Sequence, residues 1–265
     1  MTRYLLFTHS APLASFGTVA VGERRPTWDR PSKSQITGLV AACLGIERSN
    51  ETDQQALALG LGFAVRIDDP GTVASDYHTA ESPRDSKINK DWTKRHGPIR
   101  TRADELARPD RKTILSQREF RVGGRYTICL WCASEGTSIS LEEIQKSLAS
   151  PKFTPYAGRK AHALMLPMAP RLVEADRVEA AFSLFDDGMD PKVRSILDGL
   201  QDLRTARAAS SPLFADADAV PAAEHAARVV QVVERRDNPE SRDKWRFGLR
   251  SELLLRNDPT DGGTR

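Results

Sequence analysis

Residues 31–46, PSKSQITGLVAACLGI, hold the clearest helix signal in the chain. Ile36, Leu39, Val40, Cys43 and Leu44 recur at i, i+3, i+4, i+7 and i+8, which is one continuous apolar stripe. Ser32 or Ser34 can cap the start by accepting a backbone N–H, and Gly45 supplies the left-handed residue that often ends a helix. Lys33 stands at the N-terminal end. Upstream, Tyr4 to Phe7 is short, apolar and aromatic, as a strand is. A loop rich in Gly, Arg and Pro follows it, from Gly17 to Pro31. Downstream, Phe63, Val65 and Ile67 alternate with Ala64 and Arg66, the pattern of a half-buried strand. Residues 117–122 and 125–132 predict two more strands around Gly123-Gly124, a two-residue hairpin sequence. Ser140 opens a second helix, with Glu143 placed for a capping box and Leu141, Ile144 and Leu148 on one face. Pro151 stops that helix, and residues 163–168 predict a further strand.

The order strand, helix, strand, two strands, helix, strand predicts an α+β chain on the ferredoxin-like βαββαβ plan, which RNA-recognition (RRM-like) folds share. One long excursion interrupts it. Residues 76–112 have almost no apolar periodicity, several breakers (Pro83, Gly97, Pro98, Pro109) and isolated Trp92 and Ile99. Long excursions of this kind are usually functional or disordered. Past residue 170, Val178, Ala181, Phe182 and Phe185 mark one amphipathic helix. Asp190 and Pro191 start another, with Val193, Ile196, Leu197 and Leu200 on its apolar side. A linker rich in Ala, Ser and Asp is expected over 206–224. Strands at 227–233 and 245–255 close the chain as a hairpin, and the tail after Asp258 is expected to fray. The domains expected are 1–169, with an insertion at about 77–112, and a smaller helix and hairpin region at 170–265.

Composition narrows the function. The chain has 265 residues, 39% hydrophobic and 28% charged, enough to bury a core. Its longest apolar run, Ala56 to Val65, is about half of what a membrane-spanning helix needs. The opening MTRYLLFTHS lacks the apolar stretch of a secretory leader. Three cysteines, an odd number, argue against a disulfide framework and for a reducing cytoplasm. The net charge is only +3, yet residues 84–125 hold 13 basic and 6 acidic side chains against 26 and 30 elsewhere. Such clustering is the footprint of a polyanionic partner, nucleic acid above all.

Few residues carry the signature of catalysis. Cys129 and Cys132 form a lone CxxC inside a strand, where i and i+3 point to opposite faces, so core packing rather than chemistry is the reading for the pair, as for Cys43. The five histidines have no metal-ligand spacing, and no GxGxxG or Walker loop is present, so neither metal nor cofactor is expected. His78 and His96 lie in the basic excursion near Tyr77, Lys94 and Arg95. Such a set could cleave RNA by activating a 2′-hydroxyl and protonating the leaving oxygen. More informative is Thr154-Pro155-Tyr156-Ala157-Gly158-Arg159-Lys160. It places an aromatic ring, a flexible Gly and two cations on one loop, as single-stranded RNA sites do.

Together, PSKSQITGLVAACLGI (31–46), FAVRID (63–68), DYHT (76–79), LSQREF (115–120) and FTPYAGRK (153–160) stand in the order seen in the CasD family, which the chain resembles over about residues 3–168. RYLLFTHSAPLASFG (3–17) is similar to that family's first strand and turn. That family is the RAMP-type subunit of the type I-E CRISPR Cascade complex. The resemblance implies a non-catalytic protein that binds and caps the 5′ handle of the crRNA in antiviral defence. It implies a ferredoxin-like RAMP core with a long inserted β-hairpin thumb, which contacts the neighbouring backbone subunit. By motif match the handle would meet Lys33, Ser34, Arg118, Tyr156, Arg159 and Lys160. Thumb and partner contacts would fall on Tyr77, His78, Lys90, Trp92, Lys94, Arg95, Ile99, Arg100 and Arg102. The partners implied are crRNA, the Cascade backbone and large subunits, and target DNA indirectly, with no membrane. The competing readings are a metal-independent endoribonuclease acting on CRISPR precursor RNA through Tyr77, His78 or His96, and a general RNA-binding module.

Overall fold

The computed structural model describes residues 1–133, 139–202, 211–242 and 244–256. In chain order its strands and α-helices are β1 (Thr2–Ser10), β2 (Leu13–Ala14), β3 (Arg24–Arg25), α1 (Lys33–Leu44), α2 (Glu51–Gly60), β4 (Leu61–Asp69), β5 (Thr72–Pro83), α3 (Lys87–His96), α4 (Arg102–Leu106), β6 (Arg111–Val122), β7 (Arg125–Cys132), α5 (Leu141–Ala149), β8 (Arg171–Ala175), α6 (Val178–Asp187), α7 (Pro191–Asp202), β9 (Leu213–Asp216), α8 (His225–Arg228), β10 (Val229–Ser241) and β11 (Arg246–Leu255). No helix among the described residues is long and apolar enough to cross a membrane. The chain divides into two compact units. The larger comprises Met1–Phe16, Trp28–Thr72 and Arg121–Arg265, and the smaller comprises Gly17–Thr27 and Val73–Phe120.

The larger unit is built on a seven-stranded sheet in the order β10-β11-β9-β4-β7-β1-β8, and every neighbouring pair is antiparallel. Side chains alternate across it, as the strand period requires. Leu5 and Phe7 of β1, Phe63 and Val65 of β4, and Ile128 and Leu130 of β7 face one core with Ile36, Val40 and Cys43 of α1 and Ile144 and Leu148 of α5. Tyr4, Leu6, Ala64, Cys129 and Trp131 face a second core with Val178, Ala181, Phe182 and Phe185 of α6. Burying one such Leu, Ile or Phe stabilises the fold by about 1.5–3 kcal/mol. The stretch read as a half-buried strand, residues 63–67, is therefore covered on both faces. Even Arg66 is held there, by Asp68 at 2.6 Å and by Asp186 of α6 at 2.7 Å.

Helix α1 matches its sequence signals closely. Ser32 is the N-cap, accepting the Gln35 N–H, and the Gln35 side chain returns to the Ser32 N–H. Gly45 ends the helix at φ 79°.

Several expectations need correction. Helix α2 was not foreseen. The strand expected at 163–168 does not form, because Pro167 and Pro170 break the ladder. That stretch meets β1 through two backbone bonds, Met165 N–H to Ser10 O and Thr8 N–H to Met168 O. The paired strand is β8, on Thr2 to Leu6. Gly123-Gly124 does not close a hairpin, since β6 belongs to a separate four-stranded sheet. The expected linker at 206–224 contains β9, whose Leu213, Phe214 and Ala215 are buried between β11 and β4. Residues 170–265 are not a separate domain either, because β8 to β11 complete the same sheet. Residues 203–210 and the tail after 256 lie outside the described residues.

The smaller unit corrects the reading of residues 76–112 as irregular. Strand β5 pairs β6, and β3 adds a parallel pairing at Gln117 and Arg118. Between β5 and β6, Ser86 caps α3 and Thr101 caps α4. This unit is held mainly by polar contacts. Buried Asn89 donates through Nδ2 to Arg84 O at 2.8 Å and Asp110 O at 2.6 Å, and Arg108 donates to Gly97 O at 2.9 Å. The apolar periodicity is weak because there is little apolar core to bury.

Candidate nucleic-acid interface

The loop at 152–163 is fixed by its backbone. Lys152 N–H donates to Cys43 O at 2.9 Å and Phe153 N–H to Ala42 O at 3.1 Å, so the loop starts fastened to the end of α1. Ala157 N–H donates to His162 O and His162 N–H to Arg159 O, both at 2.8 Å, closing a turn. Ser15 N–H donates to Ala157 O at 3.0 Å, and Gln35 of α1 donates to Ser15 O at 2.7 Å. Gly158 sits at φ 85°, where a Cβ would stand 1.9 Å from the Ser15 carbonyl oxygen, so only glycine fits. Ala157 and His162 are buried as anchors. Burial, followed by the Arg159 cation, holds the His162 imidazole below its ordinary range. On this base Tyr156 is 38% exposed, Lys160 is exposed and Arg159 half-buried. An aromatic face and two cations thus share one rigid loop, an arrangement able to stack a base and hold a phosphate.

Lys33 and Ser34 sit differently from the expectation. Both are buried. The Lys33 ammonium donates to Asp216 of β9 at 2.8 Å, its backbone N–H donates to Asp237 of β10 at 3.1 Å, and the Ser34 hydroxyl lies 3.0 Å from that of Ser32. Lys33 belongs to an internal ionic cluster. In it Arg250 bridges Asp216 at 2.7 Å, Asp237 at 2.7 Å and Glu252 at 2.8 Å, and Arg30 and Arg235 also meet Glu252. Burial opposes ionisation of Glu252, but Arg235, Arg250 and Arg30 outweigh it and hold its pKa below the usual carboxylate value. At Asp216 burial dominates and raises the pKa, with Lys33 and Arg250 opposing. The cationic end of α1 is therefore a structural joint. The signal for it lay in the hairpin strands, where Arg235 and Asp237, like Arg250 and Glu252, stand two apart and share a face.

Arg118 lies on β6 in the smaller unit, half-buried, with its guanidinium donating to Ser116 of the same strand at 3.3 Å. In that unit Tyr77 is 65% exposed, and His78, Lys90, Lys94, Arg95, Arg100 and Arg102 are also exposed. Lys90 pairs with Asp85 at 2.9 Å and Lys94 with Asp91 at 3.6 Å, and Arg102 pairs with Glu105. Such exposed pairs are worth about 1 kcal/mol or less, so a polyanion can displace them. Trp92 is half-buried and stacks on His96 with ring centroids 3.9 Å apart, while Ile99 stays exposed.

Sequence reasoning did not single out Arg242. It donates to Ser34 O of α1, while its Nε is buried without a hydrogen-bond partner among the described residues. Burial pushes its pKa down to about 10, the Arg48 cation acts in the same direction, and Tyr156 opposes them.

The sequence model of the family described as CRISPR-associated protein (Cas_Cas5) matches residues 4–250. The chain belongs to this family of CRISPR-associated proteins. The CRISPR system Cascade subunit CasD of Escherichia coli (strain K12) is 29% identical over 176 residues, which is 63% of this chain and 70% of that protein. The fold is shared with a chain of a solved structure described as "CRISPR RNA-guided surveillance complex", at a TM-score of 0.55 and 19% identity over 95% of this chain and 90% of that one. It is shared also with a structure described as "Crystal structure of Cas protein", at 0.53 and 22%, over 95% of each chain.

Proposed function

We propose that this protein is a non-catalytic subunit of a Cascade-type CRISPR surveillance complex that binds and caps the 5′ handle of the crRNA. The Tyr156 loop carries the reading, because it offers an aromatic platform beside Arg159 and Lys160 on a backbone pinned at Ser15, Ala42 and Cys43. Family membership and the CasD relative support the assignment. The contiguous strands β4-β7-β1-β8, with helices between β1 and β4 and between β7 and β8, support a ferredoxin-like core. The β5–β6 ladder with α3 and α4 corresponds to the proposed thumb. Its exposed Tyr77, Ile99 and cations suit contact with a neighbouring backbone subunit and RNA. Arg118 remains in the proposed contact set, where its planar fork suits a base edge or phosphate. Lys33 and Ser34 are removed from it, because they are committed to the internal joint.

The endoribonuclease reading has weaker support. Tyr77 and His78 are adjacent on β5 and so point to opposite faces. His96 lies flat against Trp92, with Nδ1 3.1 Å from the Trp92 carbonyl oxygen. The test is a titration of the purified protein with a repeat-derived RNA. Handle RNA should bind without a divalent cation and be recovered intact, and Tyr156→Ala should weaken binding about 5- to 150-fold. Turnover of repeat RNA abolished by His78→Ala would establish the enzyme instead.

A further inference from the structure

The tip of the β10–β11 hairpin carries a second aromatic and cationic platform in the larger unit. Trp245 is 62% exposed and holds φ 50°, a left-handed conformation unfavourable for a bulky residue. Retained strain of this kind at an exposed aromatic points to use rather than packing. The Arg48 guanidinium covers one face of the ring, 3.9 Å from its centroid, and is itself fixed because Arg48 Nε donates to Arg242 O at 3.1 Å. The tip is tied down further by Arg242 on Ser34 O and by Gln55 of α2 on Glu240 O at 3.1 Å. Lys244 and Arg246 flank the ring and are exposed. Arg242 reaches Ser34 O at the start of α1, next to Gln35, which holds Ser15 O beneath the Tyr156 loop, so the tip and that loop share one support. A braced, exposed indole among cations has the chemistry of a platform for an unpaired base, and the surrounding positive charge favours a phosphate backbone over a cationic or neutral partner.

We propose that Trp245, braced by Arg48, is a second base-stacking subsite for the single-stranded RNA held by the Tyr156 loop. The inference rests on the RNA-binding reading above and extends it to the C-terminal hairpin.

The experiment titrates a fluorescein-labelled single-stranded RNA carrying the 5′ handle with the full chain and its variants, each checked for an unchanged circular dichroism spectrum. Trp245→Ala should weaken binding about 5- to 150-fold, and Trp245→Phe should stay within about threefold of the parent. Trp245→Gly accepts the left-handed backbone without strain, so it should melt no lower than the parent yet bind as weakly as the alanine variant. Tyr156→Ala runs in parallel. If it weakens binding while all Trp245 variants bind as the parent does, the hairpin subsite is overturned and the RNA-binding reading stands. If neither position matters, the RNA-binding reading fails and the subsite with it. If Trp245→Ala leaves RNA affinity intact but blocks assembly with other Cascade subunits, the ring is a protein contact and the proposal is overturned.

Discussion

The Lys33 ammonium lies 2.8 Å from Asp216 Oδ2, and that bond joins the first turn of α1 to β9. Asp216 Oδ2 also accepts the Phe63 N–H of β4 at 3.1 Å, so one carboxylate fastens a helix and two strands. Asp216→Ala strands the buried ammonium and an amide, and should lower stability by about 3–5 kcal/mol in urea unfolding. Lys33→Ala should cost less, about 1–3 kcal/mol, because Arg250 still faces Asp216. RNA affinity of the folded Lys33→Ala fraction should change by no more than about twofold. A large affinity loss in a fully folded variant would return Lys33 to the RNA interface.

Stability should depend on pH through His9. This residue is buried on β1 between Phe16 and Tyr126, and burial lowers its pKa from 6.5 to about 4, partly offset by a backbone hydrogen bond. The unfolded chain gains a proton near pH 6.5 that the folded chain refuses until about pH 4. The neutral form is therefore unpenalised above 6.5, and stability falls as pH drops through that window, by about 3 kcal/mol at its foot. Unfolding measured at several pH values between 4 and 7 should show this slope, and His9→Leu should flatten it. Parallel profiles for the two proteins would contradict the assignment.

Gly158→Ala should disturb the RNA loop from within. The new Cβ meets the Ser15 carbonyl oxygen at 1.9 Å, and a left-handed backbone costs a non-glycine residue about 1–2 kcal/mol even without a clash. The melting temperature should fall, and handle RNA should bind more weakly although no contacting side chain has changed. Unaltered melting and affinity would show that the loop is not pinned as described.

Arg159 and Lys160 should act through charge. If each holds one phosphate, replacing either by Ala should weaken binding to all single-stranded RNAs and reduce the slope of log affinity against log salt by about 0.7. The slope is read from anisotropy titrations at several salt concentrations. An unchanged slope would assign the two residues to other work.

The sequence made legible what depends on neighbours within a turn or a pair of strands. The caps of α1 and α5, the stripe on α6 and the closing hairpin all follow from local spacing. Helix α2 was hidden because the apolar run from Ala56 to Val65 passes from helix to strand with only Gly60 to mark the change. Strand β9 was hidden because four residues, LFAD, are too few to display a period. The Tyr156 loop stood out because its ring, glycine and cations are contiguous in sequence. The burial of Lys33 was not legible because a lysine at a helix start resembles a solvent cation, and its partner lies 183 residues away. The pairing of Arg48 with Trp245 is equally non-local, so no short motif betrays it.

Equilibrium binding of the purified chain to a single-stranded RNA bearing the repeat-derived 5′ handle, in chelator and with the RNA sized afterwards, tests the central claim most directly. Saturable binding of intact handle RNA, weakened by Tyr156→Ala and much tighter than binding to a scrambled RNA of equal length, is the expected result. Equal affinity for handle and scrambled RNA, or multiple-turnover cleavage of the repeat, would contradict it.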